Sequence, residues 1–441
     1  MAAIAWLSGE LDAALAQARA QQRPLFLYWG AAWCPPCNRV KGDLFARDDF
    51  ARRSDAVLCY HLDGDSACAQ ALAARLRLRS YPTLVLYTPD GGEITRLPCE
   101  LDGELFDAAF DTALTVHAAG SSAAAALDAA LSGTRALSAA EWSLLSHYSW
   151  DTDEGQLLGQ RALAPTLAAL ASTAASAGAS DAAARLNLHA ALAAGQADGD
   201  SLLALLSDAR LARANLDIFN NSGLILIKIA SRREELAAAL GRLAAQWADD
   251  FWLSASDRLM AVRLQMRLAR LLAPSQGLQE QVRARVEEAL AEASDPYQRH
   301  TLVNTAVSAL NDAGLAAQAE QLLLSELPRS HSPYYFMLSL AASAKRRSDS
   351  AGVLDWYSRA WQASTGPATR LQWGVTYLSS VIDLTPQDSA RIEAAAAGLL
   401  TDIHAAGADA HQQRNQAQLK KLAPKLNTTT GPHTTALLNA L

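Results

Sequence analysis

The stretch YWGAAWCPPCNRVK (28–41) sets two cysteines, Cys34 and Cys37, around Pro35 and Pro36. It overlaps the apolar run LFLYWG (25–30), whose short, continuous hydrophobicity reads as a strand buried on both faces. From Cys34 to about Arg53 the chain reads as helix, so the pair stands where a buried strand hands over to a helix. Outward from that point the signals alternate. Upstream, Ser8 caps a predicted helix with Leu11, Ala14, Leu15 and Ala18 on its apolar face, ended by Pro24. Downstream, AVLCYHL (56–62) predicts a second buried strand, DGDS breaks the chain, and ACAQALAARLRL (67–78) predicts a helix. TLVLYT (83–88) and EITRLP (93–98), joined by PDGG (89–92), predict an antiparallel hairpin, and ELFDAAFDTALTVHAA (104–119) a closing helix. The order α-β-α-β-α-β-β-α predicts an α/β unit over residues 1–118, a mixed central sheet with flanking helices.

At AAGSSAAAA (118–126) the pattern changes, and no strand is expected in residues 119–441. Ala- and Leu-rich amphipathic stretches predict helices at 138–148, 154–174, 181–194, 200–214, 233–249, 254–272, 278–292, 296–312, 315–326, 333–347, 350–363, 367–383 and 387–405. Pairs recur roughly every 35–40 residues, as in an all-α array of stacked helical hairpins, an α-solenoid. WYSRAWQASTGP (356–367), with Tyr357, Ala360 and Pro367, and WGVTY (373–377) resemble parts of a tetratricopeptide repeat. The tail, 425–441, reads as loop followed by a short helix.

Three chemistries compete for the cysteine pair. Structural zinc needs four ligands, but Cys59, Cys68 and Cys99 stand alone and the nine histidines are scattered. Inert buried thiols fit poorly with a position at the edge of a sheet. Redox exchange fits: at a helix N-terminus the unpaired N–H groups and the dipole stabilise a thiolate. A second cysteine one turn on faces the first and can resolve a mixed disulfide.

WCPPC after a hydrophobic strand, with YPT (81–83) before the next, resembles the thioredoxin superfamily. WGAAWCPPC and PDGGEITRLP are most similar to bacterial thioredoxin-like proteins related to the C-terminal domain of the membrane-spanning disulfide reductase. The resemblance covers about the first 118 residues and implies a thioredoxin fold and thiol–disulfide oxidoreductase activity. It implies Cys34 as nucleophile, Cys37 as resolving thiol and Trp33 as shield. It further implies Pro82 as a cis proline, with Tyr81 offering its backbone to an extended substrate. Cys99 stands where such domains place a substrate-lining glycine, so a third thiol there could trap mixed disulfides; Cys59 and Cys68 read as packing residues.

Two departures from that family matter. Tyr28 occupies the position of the usual buried acid, so no carboxylate in LFLYWGAAW can move the resolving thiol's proton. Pro35 and Pro36 lack N–H groups, so only amides from Cys37 onward can donate to the Cys34 sulfur. Both point to a reductant or exchange catalyst rather than a strong oxidant.

The formal net charge of −7 carries no basic footprint for nucleic acid, and no run approaches a membrane span; GLILIKIA (223–230) is too short and holds Lys228. The N-terminus has no basic n-region, so the chain as it stands reads as cytoplasmic, or as periplasmic if a leader was removed. No cofactor is expected. The expected partners are a disulfide-containing protein substrate, an external thiol reductant and a protein client on the helical domain. The alternative reading is a redox-responsive chaperone or scaffold in which the helical array is the working surface.

Overall fold

The computed structural model describes residues 4–272, 277–293 and 295–441, so the first three residues of the expected N-terminal domain lie outside it. Its strands are β1 (Trp6–Leu7), β2 (Leu25–Gly30), β3 (Leu58–Asp63), β4 (Thr83–Tyr87) and β5 (Glu93–Leu97). They form one mixed sheet in the order β1-β3-β2-β4-β5, with β1 parallel to β3 and β4 antiparallel to β5. Every residue of β2 and of β4 is buried, as continuous apolar runs require. The accompanying helices are α1 (Leu11–Gln21), α2 (Pro35–Arg39), α3 (Asp48–Arg53), α4 (Ala69–Arg75) and α5 (Gly103–Ala118). The expected α/β order is present. β1 is an addition, two residues that leave no period to read.

Beyond α5 the described chain is helical, apart from one isolated bridge between Ala197 and Ala230. The helices are α6 (Ala123–Ser132), α7 (Ala139–Ser146), α8 (Leu163–Ser176), α9 (Ser180–Ala194), α10 (Gly199–Ser207), α11 (Ala209–Arg213) and α12 (Leu216–Ile229). They continue as α13 (Arg233–Asp249), α14 (Ala255–Leu272), α15 (Leu278–Glu292), α16 (Pro296–Asp312), α17 (Ala316–Glu326), α18 (Pro333–Arg346) and α19 (Ser350–Ala363). The last are α20 (Pro367–Leu384), α21 (Ser389–Ala406), α22 (Gln413–Leu419), α23 (Ala423–Leu426) and α24 (Pro432–Ala440). Consecutive helices pair as hairpins at α8/α9, α13/α14, α18/α19 and α20/α21.

Several expectations need correction. The helix expected from Cys34 to Arg53 is three pieces: α2, a π-helical stretch over Val40–Phe45, and α3 after an extended Arg47. A Cβ on Gly42 would lie 2.7 Å from the Gln298 backbone nitrogen, so a foreign backbone presses on this segment. The helix expected over 154–174 begins only at Leu163. Residues before it turn around the Asp153 carboxylate, which accepts from Leu157 and Leu158 N–H groups at 2.7 and 3.2 Å. The expected helix 200–214 breaks at Asp208, whose side chain caps α11 through Leu211 N–H at 3.0 Å. GLILIKIA is the end of α12, and α6, capped by Ser122, was hidden in a uniform Ala run without apolar contrast.

The chain divides into two compact units that do not follow chain order. One holds Met1–Tyr28, Asn38–His61 and Pro82–Leu315; the other holds Trp29–Cys37, Leu62–Tyr81 and Ala316–Leu441. In the first, Phe26, Phe45, Phe50, Phe106 and Phe110 pack edge-on and stacked with centroids 5.5–6.3 Å apart. Buried ion pairs tie its parts together: Arg39 to Asp257 and Arg213 to Asp102, each at 2.6 Å, and Arg185 bidentate to Asp217 at 2.6 and 2.9 Å. In the second unit, Gly374 lets α20 approach its neighbours, since a Cβ there would meet Trp361 at 2.9 Å and Leu399 at 3.0 Å. Glu393 of α21 accepts from His433 and Thr434 N–H groups at 2.8 and 3.0 Å, fixing the first turn of α24.

Candidate functional site

β2 ends at Gly30, whose carbonyl accepts from Gly64 N–H at 2.9 Å. A turn follows, closed by Cys34 N–H donating to the Ala31 carbonyl at 3.3 Å. Pro35 opens α2, where a missing N–H costs no hydrogen bond and the fixed φ suits the first helical turn. Pro36 extends the gap, so the first amide that reaches the Cys34 sulfur is that of Cys37, at 3.4 Å. This is the donor pattern the two prolines require. All five cysteines carry thiols. Cys34 is 3% exposed and Cys37 fully buried; Pro35 is buried and Pro36 exposed.

Trp33 is also buried, and its indole N–H donates to the Thr369 hydroxyl at 2.8 Å. That hydroxyl donates to Asp65 Oδ2 at 2.5 Å, while Thr369 N–H donates to Asp65 Oδ1 at 2.8 Å. Asp65 therefore serves as an N-terminal cap of α20, where the helix dipole favours a negative charge. Its carboxyl is nonetheless raised, because burial outweighs the Thr369 hydrogen bonds. Tyr335 of α18 stacks on Trp33 with centroids 6.0 Å apart and planes 18° from parallel. Trp373 of α20 lies 4.9 Å from the same ring, and His331 Nε2 stands 3.1 Å from the Ala32 carbonyl. Burial, with a Cys34 thiolate adding, pushes the Tyr335 phenol up to about 12.

Tyr81 packs edge-on against Trp29 at 4.6 Å and Trp33 at 6.1 Å. Its hydroxyl accepts from Gln70 Nε2 at 3.0 Å, and the Arg414 guanidinium lies 4.2 Å above its ring. Burial raises the phenol; Arg414 opposes that shift. Cys34, Cys37, Trp33, Pro35, Pro36 and Tyr81 thus belong to the second unit, and Pro82 and Cys99 to the first. Tyr28, also in the first, is 1% exposed and stacks on His61 at 4.8 Å, with Phe45 edge-on at 5.3 Å. Pro82 is buried immediately before β4.

Cys99 is half-buried and donates to Glu100 Oε1 at 3.0 Å. Burial first, and then the Glu100 charge, raise its thiol well above the ordinary range, which suppresses the nucleophilic thiolate. Cys59 is pushed up to about 12 by burial, and Cys68 is exposed before α4. Asp65, Thr369, Tyr335, Trp373 and Arg414 carry no sequence signal for this site; Tyr335 and Trp373 signal only helix packing.

A family model described as thioredoxin-like matches residues 5–89, so this segment is a thioredoxin-like domain. No curated protein and no solved structure matches the chain. Among the described residues no helix is long and apolar enough to cross a membrane.

Proposed function

We propose that the protein is a thiol–disulfide oxidoreductase acting on disulfides of protein substrates through Cys34 and Cys37. Residues 1–118 serve as the catalytic domain, of the bacterial thioredoxin-like kind. Residues 119–441, tetratricopeptide-like in their C-terminal hairpins, bind the client or redox partner. The observation that carries this reading is the Cys37 amide 3.4 Å from the Cys34 sulfur at the start of α2, within the thioredoxin-like segment.

In the exchange, the Cys34 thiolate attacks one sulfur of the substrate disulfide. The S–S bond breaks, the distal sulfur leaves with its electron pair and takes a proton, and a mixed disulfide remains. Cys37, once deprotonated, attacks the Cys34 sulfur and expels the second substrate thiolate. Two electrons pass to the substrate, and an external thiol reduces the Cys34–Cys37 disulfide again. Trp33, Pro35, Pro36, Tyr81 and Pro82 each meet the substrate in this reading. Cys99, held protonated, stays passive.

The test is reduction of insulin by dithiothreitol in the presence of the protein. Acceleration that vanishes in Cys34→Ser supports the reading. No acceleration, or acceleration that survives the substitution, overturns it, and suppression of client aggregation that survives would favour a chaperone. With no N–H on Pro35 or Pro36 to reach the sulfur, the reduction potential is expected at roughly −200 to −270 mV, and a value near about −120 mV would reverse the direction.

A further inference from the structure

The dithiol of this fold has to meet a second sulfur in line with its own, yet Cys34 is 3% exposed and its neighbour Trp33 9%. The cover comes from residues three hundred positions away. Tyr335, in the first turn of α18, lies flat against Trp33, and Trp373, in the second turn of α20, tilts against it. One hydrogen-bonded relay joins this cover to the thioredoxin-like segment: Trp33 indole N–H to Thr369 hydroxyl to Asp65 carboxylate.

We propose that Thr369 is the latch of a gate over Cys34, holding Trp33 and the first turns of α18 and α20 closed on the dithiol. The proposal rests on the dithiol reading above and adds how that site is regulated.

Thr369 suits the role because its single hydroxyl does two things at once. It accepts from Trp33 and donates to Asp65, and its backbone N–H donates to the same carboxylate. Gly366 makes the approach possible: its φ is +87°, and a Cβ there would lie 2.3 Å from Asp65 Cγ. Thr369 is 2% exposed, so water does not compete for its hydroxyl. Ring stacking on Trp33 and the His331 contact with the Ala32 carbonyl at 3.1 Å also take part in the cover. The indole N–H of Trp373, 3% exposed, meets no acceptor, so the closed cover leaves one donor unsatisfied and a rearranged cover has something to gain. A gate of this kind keeps Cys34 from adventitious exchange and admits a disulfide only when the cover lifts.

The experiment is competitive alkylation of the fully reduced full-length chain with iodoacetamide, read by peptide mass at each cysteine. Cys68, exposed in the same molecule, is the internal reference. Wild-type Cys34 is expected to react at least ~10-fold more slowly than Cys68 in the folded chain, and the two to converge in denaturant. Thr369→Val, which keeps the shape and removes the relay, is expected to speed Cys34 about 10-fold and leave Cys68 unchanged. Thr369→Ser, which keeps the hydroxyl, should stay within about 2-fold of wild type. Equal Cys34 rates in wild type and Thr369→Val, or a wild-type Cys34 as fast as Cys68, overturn the latch. Insulin reduction on the same samples separates the two readings. A freed Cys34 that reduces no insulin keeps the latch and sinks the oxidoreductase. Full wild-type turnover indifferent to Thr369→Val keeps the oxidoreductase and sinks the latch.

Discussion

Both compact units join strand-bearing segments to helical ones, but by different physics. In the first, arginines reach into buried carboxylates: Arg39 from α2 to Asp257 of α14, and Arg213 of α11 to Asp102 before α5. Arg39 also donates to the Glu100 carbonyl at 3.1 Å and lies 3.9 Å from Asp43. In the second, rings, a hydroxyl, a capping carboxylate and the Arg414 guanidinium over the Tyr81 ring take part in the join. Removing one partner of a buried ion pair strands a charge in low dielectric, whereas removing a neutral hydroxyl forfeits a hydrogen bond. The Arg39 and Arg213 ion pairs are thus expensive to open, and the Trp33–Thr369 hydrogen bond is cheap to open.

The largest effect that can break this contrast is at Arg39. Arg39→Ala leaves Asp257 and Asp43 buried with their cation gone, and should cost about 3–5 kcal/mol in urea unfolding. A loss under about 1 kcal/mol would mean the first unit's ion pairs hold it no more firmly than surface pairs do.

Asp43 sharpens the same comparison in the opposite direction. Burial first, with Asp257 adding and Arg39 opposing, raises its carboxyl to about 6. A folded-state value above the unfolded one means the protonated acid is favoured by folding. The contribution is present below about pH 4 and lost as pH climbs through about 6. Asp43→Asn, fixed in a neutral form, should match wild type near pH 4 and exceed it by on the order of 2 kcal/mol at pH 7.5. Parallel stability–pH curves for the two proteins would remove Asp43 from the account.

Thr369→Val is the counterpart in the second unit. It leaves the Asp65–Thr369 backbone bond and the ring contacts in place, so the expected loss is about 1 kcal/mol by the same urea titration. A loss as large as that of Arg39→Ala would put the two joins on one footing.

The elements that carry the dithiol were legible because their signals are local. LFLYWG is apolar throughout, PDGG turns the hairpin, and two prolines after Cys34 start a helix without needing donors. The same locality hid the partners of that dithiol. Asp65 lies in DGDS, which reads only as a break, and it caps a helix that starts 302 residues later at Pro367. Thr369 looks like any polar residue in the first turn of a helix until Trp33 is placed beside it. Tyr335 and Trp373 follow helical spacing and announce packing, not what they pack on. Propensity could not foresee the break at Arg47 either, since what adjoins that segment is the Gln298 backbone pressed against Gly42.

The smallest expected effect compares a thiol of each unit. Cys34 sits at the N-terminus of α2 with an amide on its sulfur, whereas Cys99 faces a carboxylate that accepts its proton's hydrogen bond at 3.0 Å. A negative neighbour and burial both oppose ionisation, so at neutral pH Cys99 is a thiol and a poor nucleophile. Cys99→Ser should leave the rate of insulin reduction and the Cys34 alkylation rate within about 2-fold of wild type, because the thiolate fraction it removes is negligible. A slower turnover in Cys99→Ser, with mixed disulfides no longer trapped at that position, would show that Glu100 moves aside during exchange and that Cys99 is a working sulfur.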